Sequence, residues 1–281
     1  MSESPVGAAV QAHSSFYRFV ALDQPEAMAQ RLREIGAGLP GVGGNVLFAP
    51  EGMSGAVGGP QAQLAAFEAA LCQDPVFAGA FQGLVFKRSA CRTAPFTLLK
   101  VHVKPEIVAF GVPGVSGLPA PERPDSHVSP ARWRELLDDP EVLVLDNRNS
   151  FEFRLGRFRG AVDPQVTHFR DFPAYVQAHA AQWQREGRKI AMYCTGGIRC
   201  EKTAHWMQDQ GLSVYQLEGG ILNFFQSLPD AERDWQGECF VFDKRIALNT
   251  RLQETDTTAE QVYAEEPPWR LARAKRLDPA G

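Results

Sequence analysis

Residues 189–204, Lys-Ile-Ala-Met-Tyr-Cys-Thr-Gly-Gly-Ile-Arg-Cys-Glu-Lys-Thr-Ala, constrain the fold of this chain more than any other segment. Ile190, Ala191, Met192 and Tyr193 form a short apolar run of the kind that fills an interior strand, and residues 201–210 carry helix formers that stop at Gly211. Cys194 is therefore placed at a strand-to-helix turn, where open N–H groups and the positive end of the helix dipole favour an anion. Arg199 adds a full charge, and Gly196 and Gly197 let the backbone turn its amides toward one point. Together these predict a stabilised thiolate at Cys194 rather than a small buried hydrophobe. Cys200 falls at the start of the helix with no cluster of partners around it, which leaves a structural and a resolving role equally open.

The surrounding pattern is one of alternating strands and helices. Residues 142–146 and 189–193 read as apolar strands, separated by helical segments around 172–185, and Ser129 and Pro130 suit the N-cap and first turn of a helix over 131–137. This alternation predicts a parallel sheet with helices on both faces, with Cys194 at a carboxyl edge where α/β folds tend to place active sites. Upstream, strands are expected at 16–22, 45–50, 84–88 and 97–103, with one more near Ala56 among the glycines that run to Gly59. One helix is expected after Asp23 as N-cap, with Pro25 and Glu26 in its first turn and Met28, Leu32 and Ile35 on its face. A second, from Pro60, presents Leu64, Phe67 and Leu71. That β-α-β-β-α-β-like order predicts a ferredoxin-like α+β sandwich. The expected organisation is a disordered stretch at 1–15, a ferredoxin-like domain at 16–110, a Pro/Gly-rich linker at 111–128, an α/β domain at 129–228, and a charged, aromatic tail at 229–281 whose last part is flexible.

Composition removes several function classes. With 29 basic and 33 acidic residues the net charge is −4, so nothing global demands nucleic acid or membrane as a partner. No apolar run approaches the roughly 18 residues of a membrane span, and residues 1–15 lack a signal-peptide pattern. Five cysteines at positions 72, 91, 194, 200 and 239 suggest no disulfide framework, and a reducing, cytoplasmic compartment is expected. The histidines form no HxH or HExxH pair, CxxC is missing, and no GxGxxG follows a strand. No metal, nicotinamide or flavin site is therefore visible, and no protein partner is evident.

Three classes remain: an enzyme using a covalent thiol intermediate, a cysteine-arginine phosphatase, and a non-catalytic binding module. The first needs a low-pKa cysteine in an amide nest and little else from titratable side chains, which the loop provides. Only four residues lie between Cys194 and Arg199, one fewer than encircle a phosphate in the phosphatases, which disfavours the second. The presence of Cys194, Gly196, Gly197 and Arg199 together disfavours the third.

The string from Cys194 through Thr195, Gly196, Gly197 and Ile198 to Arg199 resembles the active-site loop of the rhodanese domain, with Cys194 in the place of its persulfide-forming cysteine. Val142 to Arg148, with Glu152, Gly156 and Gly160-Ala161, is similar to that family's first strand and following loop, and Val214 to Ile221 to the strand and loop that close the domain. The resemblance implies that Asp146, Arg148 and Glu152 support the loop, with Arg148 and Glu152 paired to brace it. Arg157 stands where many members have histidine.

The longer string Cys-Thr-Gly-Gly-Ile-Arg-Cys-Glu-Lys resembles the signature of oxygen-dependent tRNA uridine-34 hydroxylases. The likeness extends to Phe86-Lys87, Pro95-Phe96, Leu99 to Val101 and Lys104 to Gly111, and past the loop to residues 237–248 with Phe240-Val-Phe-Asp243. It implies hydroxylation of the wobble uridine to 5-hydroxyuridine, with molecular oxygen as co-substrate and tRNA as partner. A thiosulfate or persulfide sulfurtransferase is the alternative within the same fold. Many members carry CxxC pairs near the C-terminus, whereas no cysteine follows Cys239 here, and Glu51 to Gly55 departs from the family's Gly-Ile-Asn-Gly pattern.

Residues 75–105 hold Lys87, Arg88, Arg92, Lys100 and Lys104 and no acid, and strand alternation would align Lys100, His102 and Lys104 as a basic stripe for phosphates. A solvated sheet face is the equal alternative. Arg148, Arg154, Arg157 and Arg159 would extend positive potential toward the Cys194 loop.

Overall fold

A computed structural model describes residues 11–92 and 94–276 and resolves two compact units, one running to Ile107 and the other from Val108 to Lys275. The first is built from β1 (Gln11–Phe19), α1 (Pro25–Ala37), β2 (Gly43–Ala49), β3 (Gly52–Pro60), α2 (Gln61–Gln73), β4 (Lys87–Cys91) and β5 (Leu99–Val103). Its sheet has the order β4-β1-β3-β2-β5, in which the first four strands are antiparallel to their neighbours and β5 runs parallel to β2. Four antiparallel strands with two helices make the ferredoxin-like sandwich, and β5 extends its edge. Leu32 of α1 and Leu64, Phe67 and Leu71 of α2 pack onto Phe16, Val46, Phe48 and Val57 as a single core.

Several local expectations change. Residues 11–15, expected to be disordered, are strand: Gln11 to Ser15 pair with residues 56–60 of β3 and with Lys87 to Cys91 of β4. The rest of that stretch, 1–10, lies outside the described residues. The strand near Ala56 is nine residues long, because its glycines admit close neighbours; a Cβ on Gly55 would lie 2.7 Å from the Phe16 ring. Helix α1 has Gln24 rather than Asp23 at its N-cap, with no side-chain hydrogen bond there.

The second unit contains β6 (His127–Val128), α3 (Pro130–Leu136), β7 (Val142–Asp146), α4 (Ser150–Leu155), β8 (Gly156–Phe158), α5 (Phe172–Arg185), β9 (Lys189–Tyr193), α6 (Ile198–Asp209), β10 (Ser213–Leu217) and α7 (Gly220–Ser227). Four strands form a parallel sheet in the order β6-β10-β9-β7. Alternate residues of β9 enter opposite faces, as a strand covered on both sides requires. Ile190 and Met192 meet Phe172, Val176 and Trp183 of α5 and Ala204 and Met207 of α6. Ala191 and Tyr193 meet Trp133 of α3 and Ile221 and Phe224 of α7. Ser129 caps α3 by accepting a hydrogen bond from the Arg132 amide.

Both flanks of this unit reach further than the sequence pattern suggested. Phe110, just ahead of the expected linker, is fully buried against Phe169 and Trp206 at centroid separations of 5.2 and 5.3 Å. The expected tail folds into the same unit as β11 (Trp235–Gly237), β12 (Cys239–Phe240), β13 (Ala247–Leu248), α8 (Ala259–Val262) and α9 (Pro268–Arg276). β11 pairs with β8, and Trp235 and Cys239 join the core beside Phe158. Proline and charge near these residues masked an apolar content too short to show a period. Residues 277–281 lie outside the described part. Among the described residues no helix is long and apolar enough to cross a membrane.

Phe158 is the hub under the sheet, with Trp133, Tyr193, Phe224 and Trp235 all within 5.5 Å of its centroid. Phe158→Ala should lower unfolding stability by about 3–5 kcal/mol in urea titrations. A loss under about 1 kcal/mol would show that this cluster does not hold β8 and β11 to the sheet.

Candidate active site

The site forms because β7 and β9 end in register. Asp146 lies opposite Tyr193, and the Asn147 amide donates to the Tyr193 carbonyl at 2.9 Å, so the chain leaving β7 runs beside the loop leaving β9. Cys194 is the first residue past β9 and is 1% exposed. Gly197, at φ +99°, ends the loop as the N-cap of α6 and donates its N–H to Cys194 Sγ at 3.2 Å. α6 thus starts at Ile198, three residues before the expected start, which brings Arg199 and Cys200 into its first turn. Their amides also point at the sulfur.

Burial pushes the Cys194 thiol up, but the Cys200 thiol, the Arg199 guanidinium and the Cys200 and Arg199 amides outweigh it and bring it down to about 6. The thiolate is then favoured at neutral pH. Cys200 behaves in the opposite sense: burial and the neighbouring Cys194 sulfur push its thiol well above the ordinary range. It stays protonated and serves as a donor to Cys194, with Asn147 Nδ2 reaching the Cys200 sulfur at 3.9 Å. The expectation of no partners around Cys200 is therefore corrected. Its partners come from β7 and the loop, which sequence distance hides.

The expected Arg148–Glu152 pair is also replaced. Arg199 Nη1 donates to Glu152 Oε2 at 2.9 Å and Nη2 to Oε1 at 3.2 Å. Arg148, fully buried, instead makes a fork to Asp146, with Nε to Oδ1 at 2.9 Å and Nη2 to Oδ2 at 2.6 Å, and donates to the Gly156 carbonyl at 2.6 Å. Glu152 sits in the first turn of α4, where its Oε2 accepts from the Asn149 amide at 3.1 Å. Each guanidinium has its own carboxylate, the arrangement that buried charges require.

A second glycine pair closes the loop from behind. The Ile221 and Leu222 amides donate to the Cys194 and Thr195 carbonyls at 3.0 and 3.2 Å. Gly219 and Gly220 both have φ near +70°, and a Cβ on Gly220 would lie 2.4 Å from the Cys194 carbonyl oxygen. Asn147 and Gly220 were not singled out by the sequence reading. The glycine pair before the last helix was the available signal.

The basic residues of 75–105 fall into two groups, of which one is the aligned set along β5. Lys100, His102 and Lys104 are exposed and alternate on or just past β5, but Lys87, Arg88 and Arg92 belong to β4 and its end, at the opposite edge of the five-stranded sheet. Arg88 is paired with buried Glu68, its Nε donating to Oε1 at 3.1 Å, and Lys87 lies over the Tyr17 ring at 5.5 Å. Nor do the arginines after β7 form a positive path. Arg154 is paired with Glu266 and Arg159 with Asp138 and Asp234, while Arg157 packs 5.0 Å over Phe153. Among the described residues no three His, Cys, Asp or Glu side chains converge as a metal-ligand set.

A parallel sheet that delivers a cysteine into an amide nest closed by an arginine defines a rhodanese-type domain, and the profile of the rhodanese-like domain matches residues 129–227. That of the UPF0176 acylphosphatase-like domain matches residues 12–107. Proteins named tRNA uridine(34) hydroxylase are similar along most of the chain. That of Synechococcus elongatus is 46% identical over 85% of this chain and 86% of its own length. Those of Deinococcus radiodurans and Legionella pneumophila are 40% and 38% identical, over 95% and 90% of this chain and 84% and 96% of their own lengths. The chain belongs to this family.

Gly220→Ala should destabilise the second unit well beyond the roughly 1–2 kcal/mol that a positive φ alone costs a residue with a Cβ. Gly187→Ala is the control, since Gly187 has φ +64° with no atom near the added Cβ. Equal losses for the two variants in urea unfolding would show that the Gly220 contact does not shape the loop.

Proposed function

We propose that this protein hydroxylates uridine 34 of tRNA to 5-hydroxyuridine, with Cys194 as its reactive thiol. Kinship supplies the reaction and substrate: three relatives at 38–46% identity over most of the chain bear that name. The observation that carries the site assignment is the geometry at the Cys194 sulfur, which is buried at the N-terminus of α6, accepts from the Gly197 amide at 3.2 Å and has Arg199 in the helix's first turn. Burial raises its thiol, and Cys200, Arg199 and their amides outweigh that and lower it. A sulfur so placed is nucleophilic at neutral pH, and the Gly197, Arg199 and Cys200 amides can receive negative charge that develops on it or on a group bound to it. Thr195, Gly196 and Ile198 make up the rest of the loop, Arg199 carries the compensating charge and is held by Glu152, and the buried Arg148–Asp146 pair supports the adjoining wall.

The family resemblance implies molecular oxygen as co-substrate, one atom entering the uracil ring and the other leaving as water with two electrons and two protons from a reductant. The anticodon arm brings phosphates, and Lys100 and Lys104 at one edge of the first unit's sheet, with Lys87, Arg88 and Arg92 at the other, offer charge to them. A tRNA substrate supports a cytoplasmic location for the protein. A sulfurtransferase reading draws on the same cradle, because a terminal persulfide sulfur is small enough for a loop of four residues between cysteine and arginine.

Mass spectrometry of tRNA nucleosides from cells with and without the gene separates these readings. The gene should add 5-hydroxyuridine, and Cys194→Ser should remove it while leaving the protein folded. A thiolated uridine appearing instead would establish sulfur transfer, and full modification by Cys194→Ser would remove Cys194 from the chemistry.

A further inference from the structure

Of the eighteen phenylalanines in this chain, Phe242 alone is exposed, at 53%. Its backbone is anything but loose. It sits in the turn between β12 and β13, where the Val241 amide donates to the Ile246 carbonyl at 2.8 Å and the Ile246 amide to the Asp243 carbonyl at 3.1 Å. Asp243 and Arg245, both buried, lock the turn through a fork of 2.8 and 2.7 Å. The neighbours Val241, Asp243 and Arg245 all point inward, which leaves Phe242 projecting from a fixed base.

The ring stands beside the reactive cysteine's own arginine. The Arg199 guanidinium lies 5.7 Å from the Phe242 centroid, and Phe240 supports the ring edge-on at 4.9 Å and 88°. One rigid aromatic surface is thus held at the mouth of the Cys194 loop, with more than half of the residue open. Stability does not explain it, because an exposed apolar ring gains little from the fold. A planar, apolar partner would explain it. Single-stranded RNA bases are read by stacking on such side chains, and enzymes acting on a base take it out of its stack and hold it between apolar or aromatic surfaces.

We infer that Phe242 is the stacking surface for the target uracil, holding the base beside the Cys194–Arg199 loop. The inference rests on the uridine-hydroxylase reading above and adds the residue that positions the base. Arg199, already committed to Glu152 and the thiolate, lies against the ring, and the uracil would stack on the part of the ring left open beside it.

The test uses the full chain and two anticodon stem-loop RNAs, one with uridine at position 34 and one with an abasic site there. Wild type should bind the uridine RNA about tenfold or more tightly than the abasic one, the range expected for one base stacked on one ring. Phe242→Ala should lose this discrimination, binding both RNAs as wild type binds the abasic one, while Phe242→Tyr and Phe242→Trp keep it. The Cys194 thiolate midpoint should remain near its wild-type value in Phe242→Ala, which separates lost stacking from a disturbed loop. Discrimination that survives in Phe242→Ala, or is missing from the wild type, would overturn the inference even if the gene still adds 5-hydroxyuridine in cells. A gene that adds none overturns the functional reading instead.

Discussion

A charged sulfur inside a folded domain is tolerated only where fixed positive charge and donor dipoles replace the water it has lost. That constraint organises the second unit. Cys194 faces Arg199, Arg199 is held by Glu152, and next to them Arg148 is held by Asp146, so charges of opposite sign are paired in a region almost closed to solvent. Removing one member of a buried pair of this kind costs about 3–5 kcal/mol, because its partner is left uncompensated. The register of β7 and β9 brings both pairs to one place, since Asp146 and Tyr193 are opposite and the residues that follow each form the site's two walls.

The C-terminal segment belongs to this arrangement as much as the sheet does. Glu152 is placed by α4, and its neighbour Phe151 packs against Phe240 at 5.0 Å, Tyr263 at 5.1 Å and the Arg270 guanidinium at 4.9 Å. Arg270 is in turn paired with Glu266 at 2.9 Å. The segment after α7 therefore fixes the helix that fixes the carboxylate that fixes Arg199. Cys239 lies in the same packing, and burial pushes its thiol up to about 12, so it contributes as a small apolar group while Cys194 ionises.

Local signals in the sequence were sufficient for the strand, loop and helix around Cys194, because an apolar run, two glycines and an arginine lie close together along the chain. The α/β alternation and the ferredoxin-like order were legible for the same reason. Charge pairing was not: which of Arg148 and Arg199 meets Glu152 depends on the strand register and on where α6 begins, and Glu152 and Arg199 are 47 residues apart. Cys200 looked isolated because Asn147 reaches it from the end of another strand. Lys100, His102 and Lys104 alternate as strand spacing suggested, but Lys87, Arg88 and Arg92 are parted from them because the sheet order sends β4 and β5 to opposite edges, something chain order cannot reveal. The closing segment escaped notice because its strands are two or three residues long and have no period to read.

The claim on which the rest turns is that the fold holds Cys194 as a thiolate at neutral pH. Thiolate ultraviolet absorbance of the full chain can be followed against pH, with the curve of Cys194→Ser subtracted to remove the other cysteines. A difference midpoint near pH 6 is expected, from the opposition of burial by Cys200, Arg199 and the loop amides. A midpoint at about 8.5, the value of an ordinary free thiol, would contradict it.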